Sequence, residues 1–184
     1  RGKRVYVTLN SFAKNNEIEE AGRYAARLHE MGADAFIISD LGVLTEVKRV
    51  CPELEAHIST QANCQNWKTA ETYHRLGAKR VVLGREMTLA EIKELKKKVP
   101  RDLEIECFIH GAMCMAYSGR CLLSSYLNAR SGNRGECTQP CRWKYRLVEE
   151  SRPGLYMPVK EDEFTSILSS HDLCMIEHMD ELAD

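Results

Sequence analysis

The stretch Leu103-Glu104-Ile105-Glu106-Cys107-Phe108-Ile109-His110 alternates residue by residue. Leu103, Ile105, Cys107 and Ile109 form an apolar set suited to a sheet face packed on helices, while Glu104, Glu106, Phe108 and His110 point the other way. Val5, Val7 and Leu9 against Tyr6, Thr8 and Asn10 repeat the contrast near the start of the chain. A sheet whose second face carries polar groups is expected near the mouth of a (β/α)8 barrel, where the loops after each strand build the site. An open doubly wound sheet, covered by helices on both sides, would more often show apolar runs on both faces.

Between those two stretches the chain repeats one unit, a short β-branched run followed by a charged amphipathic helix. The runs are residues 4–9, 35–39, 56–60, 80–83 and 103–109, and the helical stretches are 17–31, 42–50, 67–76 and 89–98. Ala21, Tyr24, Ala25 and Leu28 recur at helical spacing and define the apolar face of the first helix. Gly32 and Gly77, each followed by Ala, are read as helix stops. Strand, helix, strand at this spacing means parallel pairing with right-handed crossovers. The fold class expected is α/β, a partial (β/α)8 TIM-like barrel of roughly the last six units, forming one domain over residues 1–184. A hetero- or homo-oligomeric partner is one source for the remaining barrel units.

Beyond His110 the period breaks. Residues 111–143 are rich in Gly, Ser, Asn and Arg, a composition for an ordered loop that wraps something, and residues 144–165 read as a hairpin insertion. Its strands are 144–149 and 156–159, turning through Ser151-Arg-Pro-Gly154. Residues 167–169 are read as a further barrel strand, with Ser170 or Asp172 capping a closing helix over 173–182 that starts at Cys174.

Five of the eight cysteines fall between Cys107 and Cys141. The chain opens Arg-Gly-Lys-Arg and runs straight into Val5-Tyr-Val-Thr-Leu9, without a secretory apolar core. No run approaches the length of a membrane span. A reduced, cytoplasmic chain is therefore expected, in which clustered cysteines mean metal ligation rather than disulfides. At 184 residues, 43% hydrophobic and 29% charged, the composition suits a real core, and the net charge of -1 gives no global pull on nucleic acid. Charge is unevenly placed, however: residues 116–148 hold six Lys or Arg against one acid, and residues 149–184 hold two bases against ten acids. A basic patch beside the cysteines could meet phosphate, or simply be a solvated surface.

A cubane iron-sulfur cluster needs four thiolates converging from different directions, which loops can supply where one helix cannot. Cys114, Cys121 and Cys137 come from the irregular segment, and Cys174 could return to complete the set, with the spacing C-x6-C-x15-C-x36-C. That spacing matches no paired zinc knuckle. Cys141 is the rival for the fourth place, because C-x3-C lets both thiolates reach one metal. Cys51, Cys64 and Cys107 are read as structural.

The pattern Glu106-x-Phe-x-x-Gly111-Ala-x-Cys114-x6-Cys121-x-x-Ser124, with Asn133-Arg-Gly-x-Cys137-x3-Cys141-Arg and Ser169-Ser-x-Asp172-Leu-Cys174, resembles the signature of peptidase family U32, the collagenase-like proteases. The likeness extends through Val5-Tyr-Val-Thr-Leu-Asn10 and Ser59-Thr-Gln-Ala-Asn63 and covers nearly the whole chain. The resemblance implies a [4Fe-4S] cluster on Cys114, Cys121, Cys137 and Cys174. It further implies hydroxylation of tRNA or ribosomal RNA bases, with prephenate as a co-substrate in some members. Within the family the sequence looks closest to the tRNA wobble-uridine hydroxylation branch, so RNA is the expected partner.

Peptidase chemistry is the alternative the family name carries. No G-x-S-x-G elbow and no H-E-x-x-H appear, and Cys114 with His110 is the remaining thiol-and-base pair. A third reading is a non-catalytic, cluster-bearing RNA-binding subunit. For hydroxylation the candidates lie on or just after strands: His110, Glu106 and Arg85 as catalytic groups, and Asn10, Gln61, Glu86, Arg134 and Arg142 as substrate-binding groups. An imidazole suits proton transfer near neutrality, and arginines suit carboxylate or phosphate. The structural alternative for Glu106 and Arg85 is an ion pair inside the barrel.

Overall fold

The computed structural model describes residues 2–158 and 172–183. The chain divides into two compact units, Arg1–Phe108 and Ile109–Asp184, so the break in period read after His110 falls within two residues of the division. The first unit is α/β. Strands β1 (Tyr6–Leu9), β2 (Ala35–Ile38), β3 (Glu55–Ile58), β4 (Ala78–Val82) and β5 (Glu104–Glu106) alternate with helices α1 (Ile18–Glu30), α2 (Leu41–Val50), α3 (Trp67–Arg75) and α4 (Leu89–Lys98). All four strand pairings are parallel and the spatial order is the chain order, β1 to β5.

Local chemistry fixes where the helices begin and end. Asp40 and Asn66 accept the backbone N–H groups of Val43 and Thr69 at 3.1 and 2.9 Å, satisfying first-turn donors of α2 and α3. Thr88 and Glu91 form a capping box at the start of α4, and three lysines close its last turn, where the helix dipole favours positive charge. Gly32 and Gly77 follow α1 and α3 at φ +99° and +91°, a conformation in which a Cβ would be strained, so the expected helix stops are present.

Register assigns the two sheet faces. Val7, Phe36, Ala56 and Leu9, Ile38, Ile58 lie in rows on one face, and they pack with Ala25, Val43, Leu44, Val47, Ala70 and Leu95 into the core. Leu103 and Ile105 join it, as the alternation requires. Strand β5 stops at Glu106, whereas the sequence pattern runs on to residue 109. Side-chain alternation reports which way residues point but not whether a neighbouring strand continues to pair, and here the ladder ends with Val82 opposite Glu106.

The second unit is built from short pieces. Strand β6 (His110–Gly111) pairs antiparallel with β9 (Leu173–Cys174), and β7 (Arg146–Val148) pairs antiparallel with β8 (Tyr156–Pro158), the expected hairpin. Helix α5 (Leu123–Asn128) and turns at Tyr117–Gly119, Gly132–Arg134 and Pro140–Arg142 occupy the cysteine-rich loop. The closing helix expected over 173–182 is shorter than read: a turn at Ile176–His178 leads into α6 (Met179–Ala183), and Cys174 belongs to a strand. A two-residue bridge carries no period, so the sequence could not separate it from the helix that follows. The strand read at 167–169, the cap at Ser170 and the end of the hairpin insertion lie outside the described residues. Among the described residues no helix is long and apolar enough to cross a membrane.

A cysteine-rich candidate metal centre and a polar sheet face

Hydrogen bonds hold the segments that carry the second unit's cysteines. Register sets Cys174 opposite His110, and the N–H of Met175 donates to the Ile109 carbonyl at 2.7 Å. The Arg142 guanidinium donates to Asp172 at 2.8 Å, tying the turn after Cys141 to the approach to Cys174. That contact, with the field of His110 among lesser causes, holds the Asp172 carboxyl below its usual range. At the other end of the loop, Asn133 Oδ1 accepts the N–H of Cys121 at 3.1 Å. Ser124 Oγ accepts the N–H of Thr138 at 3.1 Å, and Asn128 donates to the Thr138 hydroxyl at 2.9 Å, so α5 is clamped to the strand of chain holding Cys137.

Two sulfurs already receive donors. Leu123 N–H points at Cys121 Sγ and Gln139 N–H at Cys137 Sγ, both at 3.3 Å and both from two residues on. Bonds of this kind tune the potential of sulfur-ligated iron. Burial pushes the Cys141 thiol up, and charge at Cys114, Cys137 and Cys121 adds to the effect against a smaller lowering by Arg142. All five cysteines are free thiols; Cys114, Cys137 and Cys174 are exposed, Cys121 and Cys141 half-buried. Among the described residues no three of these sulfurs lie within 4.8 Å of one another. The set is made of thiols alone, the donor type that iron–sulfur clusters take.

Strain marks the same loop. Among the described residues, three of the four non-glycine positions at positive φ, namely Ser118, Ala129 and Gln139, lie in it. Each costs of order 1 to 2 kcal/mol relative to an ordinary conformation, and Gln139 sits between Cys137 and Cys141. The cysteines read as structural behave differently. Cys51 and Cys64 are buried in the first unit, and burial pushes the Cys64 thiol up to about 11, which keeps it protonated and inert. Burial, with Glu106 nearby, also raises the half-buried Cys107.

The first unit contributes a polar sheet face opposite its core. Arg80 is its centre, donating to Glu104 at 2.6 and 2.8 Å and to Glu106 at 2.9 Å. Burial works against the Arg80 charge, but the two carboxylates outweigh it and raise its pKa; the bond from Arg80 in turn lowers that of Glu104. Next to this pair His57, 1% exposed, contacts Glu55 at 2.8 Å and meets the edge of Tyr6 at a ring separation of 4.8 Å. Glu106, read as a catalytic group, is thus a partner of Arg80.

Because the strands are parallel, residues that follow them share one edge of the sheet. Asn10 follows β1, Gln61 follows β3, and Arg85 and Glu86 follow β4. Asn10 accepts the Ser39 hydroxyl on its carbonyl at 2.7 Å, Gln61 N–H is held by Ser59 at 3.2 Å, and Gln65 links Glu86 at 3.2 Å to Asn63 at 2.6 Å. Arg85 lies 3.9 Å over the Phe108 ring, a cation–π stack. His110, Arg134 and Arg142 belong to the second unit. Sequence reasoning missed His57, Arg80 and Thr138, and it named Ser124 and Asn133 within the family pattern but gave them no role. Strand alternation could have exposed the first two; nothing local marks the others, whose partners are distant in sequence.

The sequence profile of peptidase family U32 matches residues 1–184. This chain belongs to that family. Among the curated U32-like relatives, tRNA hydroxylation protein P of Escherichia coli is 39% identical over 98% of this chain and 49% of its own length. An uncharacterized protease of Methanocaldococcus jannaschii is 42% identical over 99% of this chain and 44% of its own. A 23S rRNA 5-hydroxycytidine synthase of Escherichia coli is 38% identical over 81% of this chain and 22% of its own. The chain therefore spans about half the length, or less, of the relatives it matches.

Proposed function

We propose that this U32 chain is the cluster-bearing part of an enzyme that hydroxylates a pyrimidine of RNA, with the wobble uridine of tRNA as its substrate and 5-hydroxyuridine as product. Its likeness, at 38 to 39% identity, to proteins named for tRNA hydroxylation and rRNA hydroxycytidine synthesis carries the reading. The strictly sequential parallel order β1 to β5, with no reversal that would mark an open doubly wound sheet, favours a partial (β/α)8 barrel.

Cys114, Cys121, Cys137 and Cys174 would hold a [4Fe-4S] cluster, with Cys141 competing for the place of Cys174. A bound cluster supplies one-electron redox chemistry. The loop around it offers RNA what RNA requires: Tyr117, Tyr126 and Trp143 are 59%, 86% and 43% exposed, and Arg120, Arg130, Arg134 and Arg142 are interspersed among them. Unpaired bases stack on aromatic rings, and guanidinium groups neutralise phosphates. His110 serves proton transfer at the substrate. Arg85, with Asn10, Gln61 and Glu86, is assigned to small polar ligands, prephenate among them.

Two measurements test this. Purified without oxygen, the protein should carry iron and sulfide in equal amounts, lost in Cys121→Ala and retained in Cys51→Ala; equal retention would refute the ligand assignment. Nucleosides from a strain lacking the gene should be missing a hydroxyuridine that the wild-type gene restores and Cys121→Ala does not. An unchanged nucleoside profile beside His110-dependent cleavage of gelatin would replace hydroxylation by proteolysis.

A further inference from the structure

The end of α1 and the loop leaving α2 bring together a histidine, a thiol and a carboxylate that neither the polar sheet face nor the cysteine-rich loop uses. The donor atoms of His29, Cys51 and Glu53 all lie within 4.8 Å of one another. They come from three different places: the last turn of α1, the C-terminal cap of α2 and the loop two residues on. We propose that His29, Cys51 and Glu53 form a second metal site, separate from the cysteine-rich loop, that takes one divalent cation of the zinc class.

The donor set chooses the metal. One sulfur, one imidazole nitrogen and one carboxylate oxygen form a mixed set suited to zinc, and three protein ligands leave a fourth position for water. Calcium and magnesium want oxygen only. The imidazole is already oriented for the task. His29 Nδ1 lies 3.1 Å from the Ala33 carbonyl, and a carbonyl can only accept, so Nδ1 donates to it and in the neutral ring Nε2 is the nitrogen that can take a metal. A metal-binding histidine is usually held in this way, with its other ring nitrogen donating to a carbonyl or carboxylate.

The other two ligands are also positioned. Cys51 is buried, and its backbone N–H closes α2 on Val47 at 2.8 Å. Lys48 Nζ binds the carbonyls of Leu54 and Pro52 at 2.5 and 3.2 Å and so pins the loop that carries Glu53. Cys51 Sγ stands 3.1 Å from Glu53 Oε1, where its proton bridges the two groups. Metal entry replaces that proton: the S–H bond breaks, the sulfur and carboxylate lone pairs go to the cation, and the proton leaves to solvent. No change of oxidation state is involved.

The test uses the full chain with its iron loaded, titrated with zinc against a competing chelator. Wild type should hold one zinc per chain beyond the iron, and His29→Gln and Cys51→Ala should each weaken it by at least about tenfold. Cys121→Ala, which targets the other site, should keep it. Cobalt in place of zinc should give a thiolate charge-transfer band that Cys51→Ala abolishes. Should Cys51→Ala fail to fold, His29→Gln, a change at a half-exposed surface position, reads the same site. Equal zinc affinity in wild type and His29→Gln, or loss of zinc in Cys121→Ala alone, would overturn the proposal and leave a hydrogen-bonded cluster only.

Discussion

The two units hold themselves together by different means. In the first, Phe36, Ile38, Leu44, Leu54, Ile58, Leu95 and Leu103 are fully or almost fully buried, and each helix is stopped or capped by the chemistry of its own sequence. In the second, the buried residues among those described are Ser118, Ser124 and Pro140. At about 25 cal/mol per Å² of apolar surface removed from water, the first unit has a hydrophobic driving force that the described part of the second lacks. Its loop is held by hydrogen bonds to side chains and includes residues at positive φ. Under the proposed function such a region would gain its stability from a bound cluster, as small metal-dependent folds do from their metal.

Removing that ligand gives the sharpest contrast. Iron chelation under oxygen-free conditions is expected to abolish amide protection across 111–142 while leaving β1 to β5 protected, as read by hydrogen exchange. Equal protection before and after would mean that the loop supports itself. The converse experiment is Phe36→Ala, which opens a cavity in the first unit's core and should cost about 3 to 5 kcal/mol in denaturant unfolding. Tyr126→Ala, equally large a truncation on an exposed ring, should change stability by no more than about 0.5 kcal/mol.

What could be read from sequence follows the same divide. Helix α4 was expected over 89–98 and occupies those residues, because its apolar period and its end signals are local. The alternation in 103–106 correctly separates a core face from a charged face, yet it could not name Arg80, twenty-four residues away, as the group that pairs Glu104. In the second unit the cysteines were visible because thiols are rare and their spacing is unusual. The Asn133 bond to Cys121 and the Ser124 clamp on Thr138 left no trace, since each joins positions with no repeat between them. Cys174 was placed on a helix because a ladder of two residues has no period to detect.

That clamp offers a test of intermediate size. Ser124→Ala removes the acceptor from the Thr138 N–H in one of the few buried spots of the loop, and a buried donor left unpaired costs about 1 to 3 kcal/mol. Iron should consequently be lost faster from the variant than from wild type on chelation, with the core of the first unit unmoved.

The smallest effect concerns the polar sheet face, where the sign can be worked out. Arg80 holds the Glu104 carboxyl below its ordinary value of 4.5, so the folded protein ionises this group more readily than the unfolded chain does. The stabilisation is complete above the unfolded value and disappears as pH falls through the lower, folded one. Glu104 is 46% exposed, so solvent screens much of the interaction. Replacing Arg80 by glutamine should flatten the acid limb of the stability curve below about pH 4.5 and leave the loss of iron on chelation unchanged, because Arg80 lies on the sheet of the first unit and not in the cysteine-rich loop. A change in iron retention in that variant would show that the two units do not stand on separate footings.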